Sequence, residues 1–302
     1  MSEYHTPVML NESISSLVTN PNGTYADVTF GGGGHTAGIL SRINDGGSVI
    51  AFDRDLDAIN GAFKDSRLTL VHNNFRYIEN YAALYGVKFD GILADLGVSS
   101  HQFDTPERGF SFRYDAPLDM RMNERGAVTA ADILNTREPE EIESILKLYG
   151  EVDGARRMAM LIADARKSAP ILTSGDLDKA IEKMLPKGAE HKVLAKVYQA
   201  LRIEVNGELR SLEKFLEGAA RSLKVGGRLV VITYHSLEDR MVKNFIKCGN
   251  VEGIEEKDMF GRTIAPLEAV NRKPIVPAES EIAANTRARS AKLRVAERRA
   301  AE

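Results

Sequence analysis

The stretch that decides the fold is Asp27-Val28-Thr29-Phe30-Gly31-Gly32-Gly33-Gly34-His35. It closes an apolar run over residues 24–30 that predicts a buried strand, and a helical pattern follows over residues 36–43. Glycines let the backbone approach a ligand and direct its N–H groups at a negative group over a helix N-terminus. The order strand, glycine turn, helix therefore predicts the first unit of a sheet that binds a nucleotide-like cofactor.

The next sixty residues continue this alternation. They predict strands at 48–53, 68–72 and 89–96, with helices at 56–63 and 77–85 between them. Strands that alternate with helices indicate βαβ units and a parallel sheet. The predicted fold class is α/β, with half of a doubly wound, Rossmann-like sheet in the first third of the chain.

After Ser100 the strand pattern stops and helical patterns replace it until a strand returns at residues 228–234. A long helical stretch from residue 191 to 223, with a break near Asn206 and Gly207, leads the chain back to the sheet. We therefore predict a helical insert domain at 106–206 that recognises the substrate. The Rossmann-like domain is then discontinuous, over 1–105 and 207–302, with its last strand at 291–296.

Two acidic residues end predicted strands and are candidates for the cofactor site. Asp53 closes the second strand, where a ribose-binding carboxylate belongs. Asp95 closes the fourth strand, beside the expected switch point of the sheet. Its carboxylate would stabilise a sulfonium methyl donor, which is a cation, and would accept a hydrogen bond from a substrate amine. The glycine loop alone also satisfies a dinucleotide pattern, so a nicotinamide cofactor stays open at this point.

Composition narrows the class of protein. The 302 residues carry a formal net charge of -3 and one cysteine, so an internal disulfide framework is excluded. No His and Cys cluster has zinc-ligand spacing, and no metal is predicted. The opening residues lack a signal-peptide pattern and no apolar segment is long enough for a membrane span, so we expect a cytoplasmic protein without a membrane partner. The oligomeric state is not determined, and a homodimer stays open.

Several longer blocks resemble one family. The blocks are His5-Thr6-Pro7-Val8-Met9-Leu10-Asn11-Glu12, the segment from Asp27 to His35, Asp53-Arg54-Asp55, Asp95-Leu96-Gly97-Val98-Ser99-Ser100, Glu107-Arg108-Gly109-Phe110-Ser111-Phe112, Leu118-Asp119-Met120-Arg121-Met122, Tyr234-His235-Ser236-Leu237-Glu238-Asp239-Arg240 and Arg287-Ala288-Arg289-Ser290. In this order, and nearly from end to end, they resemble the bacterial ribosomal RNA small subunit methyltransferase H family, also called MraW. Thr36 and Tyr234 depart from its pattern, which usually has Ser and often Phe there.

The resemblance implies an enzyme that uses S-adenosyl-L-methionine to methylate N4 of a cytosine in the decoding centre of 16S ribosomal RNA. Its partner is then 16S rRNA within the small ribosomal subunit. Carried over, the cofactor-binding residues are Gly33, Gly34, His35, Asp53, Phe75, Asp95 and Gln102.

Asp95 is also the candidate catalytic residue. We expect its carboxylate, with the carbonyl of Leu96 or Gly97, to accept the N4 hydrogens and orient the nitrogen. Other amino methyltransferases stack the base on the aromatic of an Asn-Pro-Pro-Tyr motif, which this sequence lacks. The candidates for stacking are Phe110, Phe112, Tyr234 and His235, and those for binding phosphate are Arg108, Arg113, Arg121, Arg202, Arg287 and Arg289.

Each of these aromatic and basic residues also has an ordinary structural interpretation, and His235 in particular is compatible with a helix cap. Three alternative functions remain. A nicotinamide-dependent oxidoreductase fits the glycine loop, and an N-methyltransferase acting on another nucleic acid base fits the fold. A ribosome-assembly factor without catalysis would have no physical need to keep Asp53 and Asp95 together with the glycine loop.

Overall fold

The computed structural model describes residues 7–300, so His5 and Thr6 of the first block lie outside the described residues. The strands are β1 Thr24–Asp27, β2 Ser48–Asp53, β3 Leu68–His72, β4 Phe89–Asp95, β5 Leu223–Thr233, β6 Leu267–Ala269 and β7 Lys292–Arg298. The helices are α1 Leu10–Leu17, α2 Gly34–Leu40, α3 Leu56–Asn60, α4 Ile78–Tyr85, α5 Ser100–Asp104, α6 Ala130–Thr136, α7 Pro139–Gly150, α8 Ala155–Ala165, α9 Ser174–Ile181, α10 Glu190–Asn206, α11 Glu208–Ser222, α12 Ser236–Cys248 and α13 Glu279–Ala284.

The sheet confirms the predicted α/β class. Within residues 7–300 its seven strands have the order β3-β2-β1-β4-β5-β7-β6. The first five in this order pair in parallel, whereas β7 is antiparallel to both β5 and β6. An antiparallel strand between β5 and β6 distinguishes this sheet from the parallel 3-2-1-4-5-6 order of dinucleotide-binding domains.

The strands form because their side chains are apolar on both faces. In β4 four consecutive residues, from Gly91 to Ala94, are buried, and β2 is buried from Val49 to Phe52. Helices cover both faces of such a sheet, so the strands are nearly continuous apolar runs. Phe52 and Phe215 belong to the core cluster on one face, and Tyr25 and Leu17 to the cluster on the other.

The chain divides into two compact units. One contains the described residues up to Gly97 and from Leu209 onward, and it holds the sheet. The other, Val98–Glu208, is helical and has its own apolar core, in which Met158, Ile142 and Leu201 are fully buried. We call it the inserted unit. In the part of the chain that the structure describes, no helix is both long and apolar enough to cross a membrane.

Candidate active site

Four strands bring polar side chains to one edge of the sheet. Asp27, Asp53 and Asp95 are the last residues of β1, β2 and β4, and Tyr234 directly follows β5. These strands are parallel neighbours, so their carboxyl ends meet at the same edge. The order reverses direction between β1 and β4, and ligands of open α/β sheets bind in the crevice at such a switch point.

The glycine loop between β1 and α2 accepts no side chains at two positions. Gly33 has a φ of +78°, and a Cβ there would lie 2.8 Å from the rings of Phe30 and Phe63. A Cβ on Gly34 would lie 2.1 Å from Cγ of Pro7. Glycine is therefore required by both backbone conformation and space. The loop keeps its main chain accessible at the start of α2 because nothing larger fits.

Asp53 links this loop to β2. Its carboxylate accepts hydrogen bonds from the backbone N–H of Gly31 at 2.7 Å and of Asp55 at 2.8 Å. Burial raises the pKa of Asp53 to about 6, although these two N–H groups favour its ionised form. Each carboxylate oxygen has two lone pairs, so Asp53 can still accept from the hydroxyls of a ribose.

The two carboxylate oxygens of Asp95 have different neighbours. Oδ1 accepts a hydrogen bond from the Tyr234 hydroxyl at 2.7 Å, and Oδ2 lies 3.8 Å from Nδ1 of His35. The Asp95 backbone N–H donates to Oγ1 of Thr29 at 2.7 Å, which fixes the strand end. Burial raises the pKa of Asp95 to about 6, against the opposing effects of His35 and Tyr234. A carboxylate in this range can hold or release a proton near neutral pH.

His35 and Asp27 lie behind Asp95 in the same unit. Nε2 of the buried His35 lies 3.0 Å from the carbonyl oxygen of Val8, which can only accept, so this nitrogen carries a proton. Asp27 is fully buried and accepts from the Thr36 hydroxyl at 2.7 Å. Its pKa is raised because burial disfavours the charged form. The imidazole of His35 therefore lies within electrostatic range of the carboxyl groups of both Asp27 and Asp95.

Phe75 and Gln102 belong to different units. Phe75 begins a 3-10 turn directly after β3, and its half-buried ring packs edge-on against Phe215 with centroids 5.3 Å apart. Gln102 lies in the inserted unit, where its side chain accepts from the Ser99 N–H at 3.2 Å and caps α5. Of the sequence-predicted set, the structure brings together the glycine loop, His35, Asp53 and Asp95.

The aromatic candidates for base stacking occupy structural positions of unequal accessibility. Phe110 is buried in the core of the inserted unit, and Phe112 packs edge-on against Tyr198. Tyr234 is half-buried, with its hydroxyl on Asp95. His235 is the N-cap residue of α12. Tyr234 is therefore the candidate with a direct contact to a strand-end carboxylate.

Three of the predicted phosphate-binding arginines have guanidinium groups that are engaged within the inserted unit, and their role in phosphate binding stays a prediction. The buried Arg108 donates to the carbonyl oxygens of Arg121 and Met122. Arg121 forms a two-point ion pair with Asp119. Arg202 forms another with Glu208. Such forked pairs satisfy the guanidinium internally. Arg113 and Arg289 are exposed and Arg287 is half-buried.

Sequence reasoning missed three contributors to the site: Asp27, Thr29 and the Tyr234 hydroxyl as a donor to Asp95. Asp27 had a detectable signal, since an acidic residue inside an apolar strand needs a buried partner. The pairing of Tyr234 with Asp95 had none, because 139 residues separate them in the chain.

The comparison with known families decides the class of this protein. The sequence profile described as the MraW methylase family matches residues 2–299. The chain belongs to the MraW methylase family. It is 53% identical over 297 residues to the ribosomal RNA small subunit methyltransferase H of Bacteroides fragilis, with 98% of each chain covered. The protein of the same name from Flavobacterium johnsoniae is 49% identical, also with 98% of each covered.

Two solved structures are similar to this chain at a low level. A putative rRNA methylase from Clostridium thermocellum has a TM-score of 0.41 and 13% identity, covering 96% of this chain and 94% of that one. TrmN from Thermus thermophilus has a TM-score of 0.44 and 11% identity, covering 96% and 48%. MraW membership and the strand order confirm the predicted Rossmann-like methyltransferase class, and membership in a methylase family excludes the oxidoreductase alternative.

S-adenosyl-L-methionine is the cofactor of this MraW methylase. The residues at the strand ends fit it chemically. Asp53 offers acceptors for ribose hydroxyls, and the glycine loop offers main chain without side chains. Within residues 7–300, no Lys or Arg forms an ion pair with Asp95, so its half-buried carboxylate is compensated by His35 and Tyr234 and would favour a cationic sulfonium nearby. No metal-binding group of three or more His, Cys, Asp or Glu occurs among the described residues.

Proposed function

We propose that this protein transfers the methyl group of S-adenosylmethionine to the exocyclic N4 of a decoding-centre cytidine in 16S ribosomal RNA. The observation that carries the chemistry is the half-buried Asp95 carboxylate at the switch-point edge, with one oxygen held by Tyr234. The proposal for the RNA rests on the name that the relatives carry, ribosomal RNA small subunit methyltransferase H.

In this proposal Gly33, Gly34 and His35 hold the methionine end of the cofactor and Asp53 its ribose. Phe75 contacts the adenine, and Asp95 and Gln102 complete the site. The cofactor supplies an electrophilic methyl group on a sulfonium. Asp53 is suited to binding the ribose because hydrogen bonds from the N–H groups of Gly31 and Asp55 fix the orientation of its carboxylate.

Asp95 then acts on the substrate amine. The N4 lone pair of cytosine is delocalised into the ring, so methylation needs an amine that becomes more tetrahedral and loses a proton. Because Tyr234 already uses one lone pair of Oδ1, Oδ2 is the oxygen with more acceptor capacity left for an N4 hydrogen. The carbonyl of Leu96 or Gly97 would accept the other hydrogen. With a pKa raised to about 6 by burial, Asp95 is a stronger base than an exposed aspartate and can take the proton.

We further propose that the inserted unit recognises the RNA. The sequence-based bounds of this helical insert, 106–206, lie within Val98–Glu208, and the Rossmann-like residues flank it at 1–105 and 207–302. A paired cytosine must leave its stack before its amine can reach a catalytic carboxylate, which costs a few kcal/mol. Phosphate contacts outside the target nucleotide would offset that cost. This assignment places the enzyme in the cytoplasm with the ribosome.

The role of Asp95 is tested by Asp95→Asn, which keeps the shape and one acceptor oxygen but replaces the basic carboxylate with a neutral amide. We expect kcat on small ribosomal subunits, at saturating S-adenosylmethionine, to fall by about 10²- to 10⁴-fold. Asp53→Ala is the matched variant at the neighbouring strand end. It should weaken S-adenosylmethionine binding by about ten-fold or more in calorimetry, because it removes charged acceptors. Wild-type turnover by Asp95→Asn would refute the proposed role.

A further inference from the structure

The inserted unit contains a concave basic groove that includes none of the candidate site residues. Its volume is about 510 Å³, and it lies wholly within Val98–Glu208. The chain before α8, the 3-10 turn Glu182–Met184 and the first turns of α10 form its walls. The lining residues are Val152, Asp153, Met158, Lys183, Met184, Leu185, Pro186, Ala189, Lys192, Val193 and Lys196. We call this the lysine groove.

The charge of the lysine groove is opposite to that of the chain. Lys183, Lys192 and Lys196 line it against one acidic residue, Asp153, whereas the whole protein carries a formal net charge of -3. Within residues 7–300, neither Lys183 nor Lys192 forms an ion pair or a hydrogen bond through its side chain. Two exposed ammonium groups at a concave surface are thus available for an anionic ligand.

The third lysine is held in place by the fold. Lys196 Nζ donates to the carbonyl oxygen of Glu151 at 2.9 Å and lies 3.8 Å from the fully exposed Asp153 carboxylate. Glu190, at the start of α10, directs its carboxylate to the Gly188 N–H at 2.9 Å. The nearby acids are therefore partly engaged, and the groove keeps a positive balance.

The floor of the lysine groove is apolar. Met158 is fully buried at its base, and Met184, Leu185 and Val193 are half-buried along it. Flexible methionine side chains adapt to irregular planar ligands. An apolar floor below a rim of lysines matches a nucleotide, whose base and ribose can lie against the floor while its phosphates meet the rim.

We propose that the lysine groove binds an unpaired segment of the substrate RNA, through backbone phosphates at Lys183 and Lys192, at nucleotides other than the one that is methylated. This inference rests on the proposed function, because it takes RNA as the substrate. RNA is favoured over an acidic protein segment because the groove combines spaced ammonium groups with an apolar floor of nucleotide size. Contacts of this kind position an RNA and carry little sequence information.

The test measures RNA binding separately from methyl transfer. A fluorescein-labelled 16S rRNA fragment that contains the decoding region is titrated with the full chain, by anisotropy, at several salt concentrations. Lys183→Glu/Lys192→Glu should weaken binding at least ten-fold. The slope of log K against log salt should become shallower by about 1.4, since each single-strand phosphate contact contributes about 0.7. Lys183→Gln/Lys192→Gln should give a smaller loss of affinity.

Lys147→Glu is the matched control, an exposed lysine on α7 that does not line the groove. It should bind RNA within two-fold of wild type, and all variants should keep the wild-type circular dichroism and S-adenosylmethionine affinity. The proposal is overturned if the double variants bind RNA like Lys147→Glu. It is also overturned if they keep RNA binding but lose binding of polyglutamate. If the wild-type chain binds RNA but never methylates it, the proposed function is refuted, whereas the proposal that the lysine groove binds RNA still stands.

Discussion

Asp95 shows how one side chain can be set for proton transfer by its neighbours. Tyr234 donates to Oδ1, and the imidazole of His35 lies 3.8 Å from Oδ2. Both favour the ionised carboxylate, while burial favours the protonated one more strongly and raises the pKa of Asp95 to about 6. The balance keeps the group basic enough to accept a proton and still ionised at neutral pH.

Removing the Tyr234 hydroxyl should move the pH dependence of the reaction. Tyr234→Phe deletes a hydrogen bond that stabilises ionised Asp95, so the pKa of Asp95 rises further. Since the ionised form accepts the proton, the acidic limb of the kcat/KM profile should shift to higher pH, by up to about one unit. The plateau at high pH should change little. Tyr85→Phe, at an exposed ring of α4, is the control and should leave the limb in place. An unshifted limb for Tyr234→Phe would contradict this account of Asp95.

At the residue scale, the sequence was informative where chemistry is local. Glycines after a strand and acids at strand ends predicted the loop, Asp53 and Asp95, and the structure places them at one edge. It was uninformative where burial decides a role. The sequence alone suggests that Arg108 is a surface cation. It is buried instead, and its guanidinium donates hydrogen bonds to the backbone carbonyl oxygens of Arg121 and Met122.

At the element scale, α12 connects the site to the far side of the sheet. His235 caps its N-terminus in a capping box with Glu238, which also accepts from the Tyr234 N–H. One turn further, the carboxylate of Asp239 accepts from Arg294 of β7 at 2.7 and 3.1 Å. Burial by itself would raise the pKa of Asp239, but the hydrogen bonds from Arg294 have the larger combined effect, so the pKa lies below its usual value.

Breaking this ion pair should be costly because both side chains are nearly buried, at 12% and 13% exposure. Asp239→Ala leaves the Arg294 guanidinium without its carboxylate, and we expect the free energy of unfolding to fall by about 3 kcal/mol in urea titration. Asp239→Ala/Arg294→Met should recover part of that loss. Glu268→Ala, which removes an exposed partner of Arg299, should cost less than about 1 kcal/mol. Equal losses at the two sites would show that burial does not govern the pair.

Element boundaries separate what periodicity predicts from what it does not. β2 and β3 have the predicted bounds, since each is an apolar run closed by polar residues. β1 ends at Asp27, three residues before the predicted end, and α2 begins two residues early, at Gly34. α12 was not predicted, although His235 followed by Glu238 three residues later is a capping signal that could have indicated it.

At the scale of the whole molecule, the alternation of strands and helices predicted an interrupted α/β protein. The strand order was not predictable, because the antiparallel β7 enters between β5 and β6 by pairing with β5 residues that lie 59 to 69 positions earlier in the chain. Both units have an apolar core of their own, one on the sheet around Phe52 and one among the helices around Met158. The proposed function assigns cofactor and chemistry to the first and RNA contacts to the second.

The most direct test of the central claim is methyl transfer from labelled S-adenosylmethionine to small ribosomal subunits from a strain that lacks this gene, followed by nucleoside mass spectrometry. We predict labelled N4-methylcytidine, formed at least about a hundred-fold more slowly with Asp95→Asn under the same conditions. Label on another nucleoside, or no label on either subunits or naked 16S rRNA, would contradict the account.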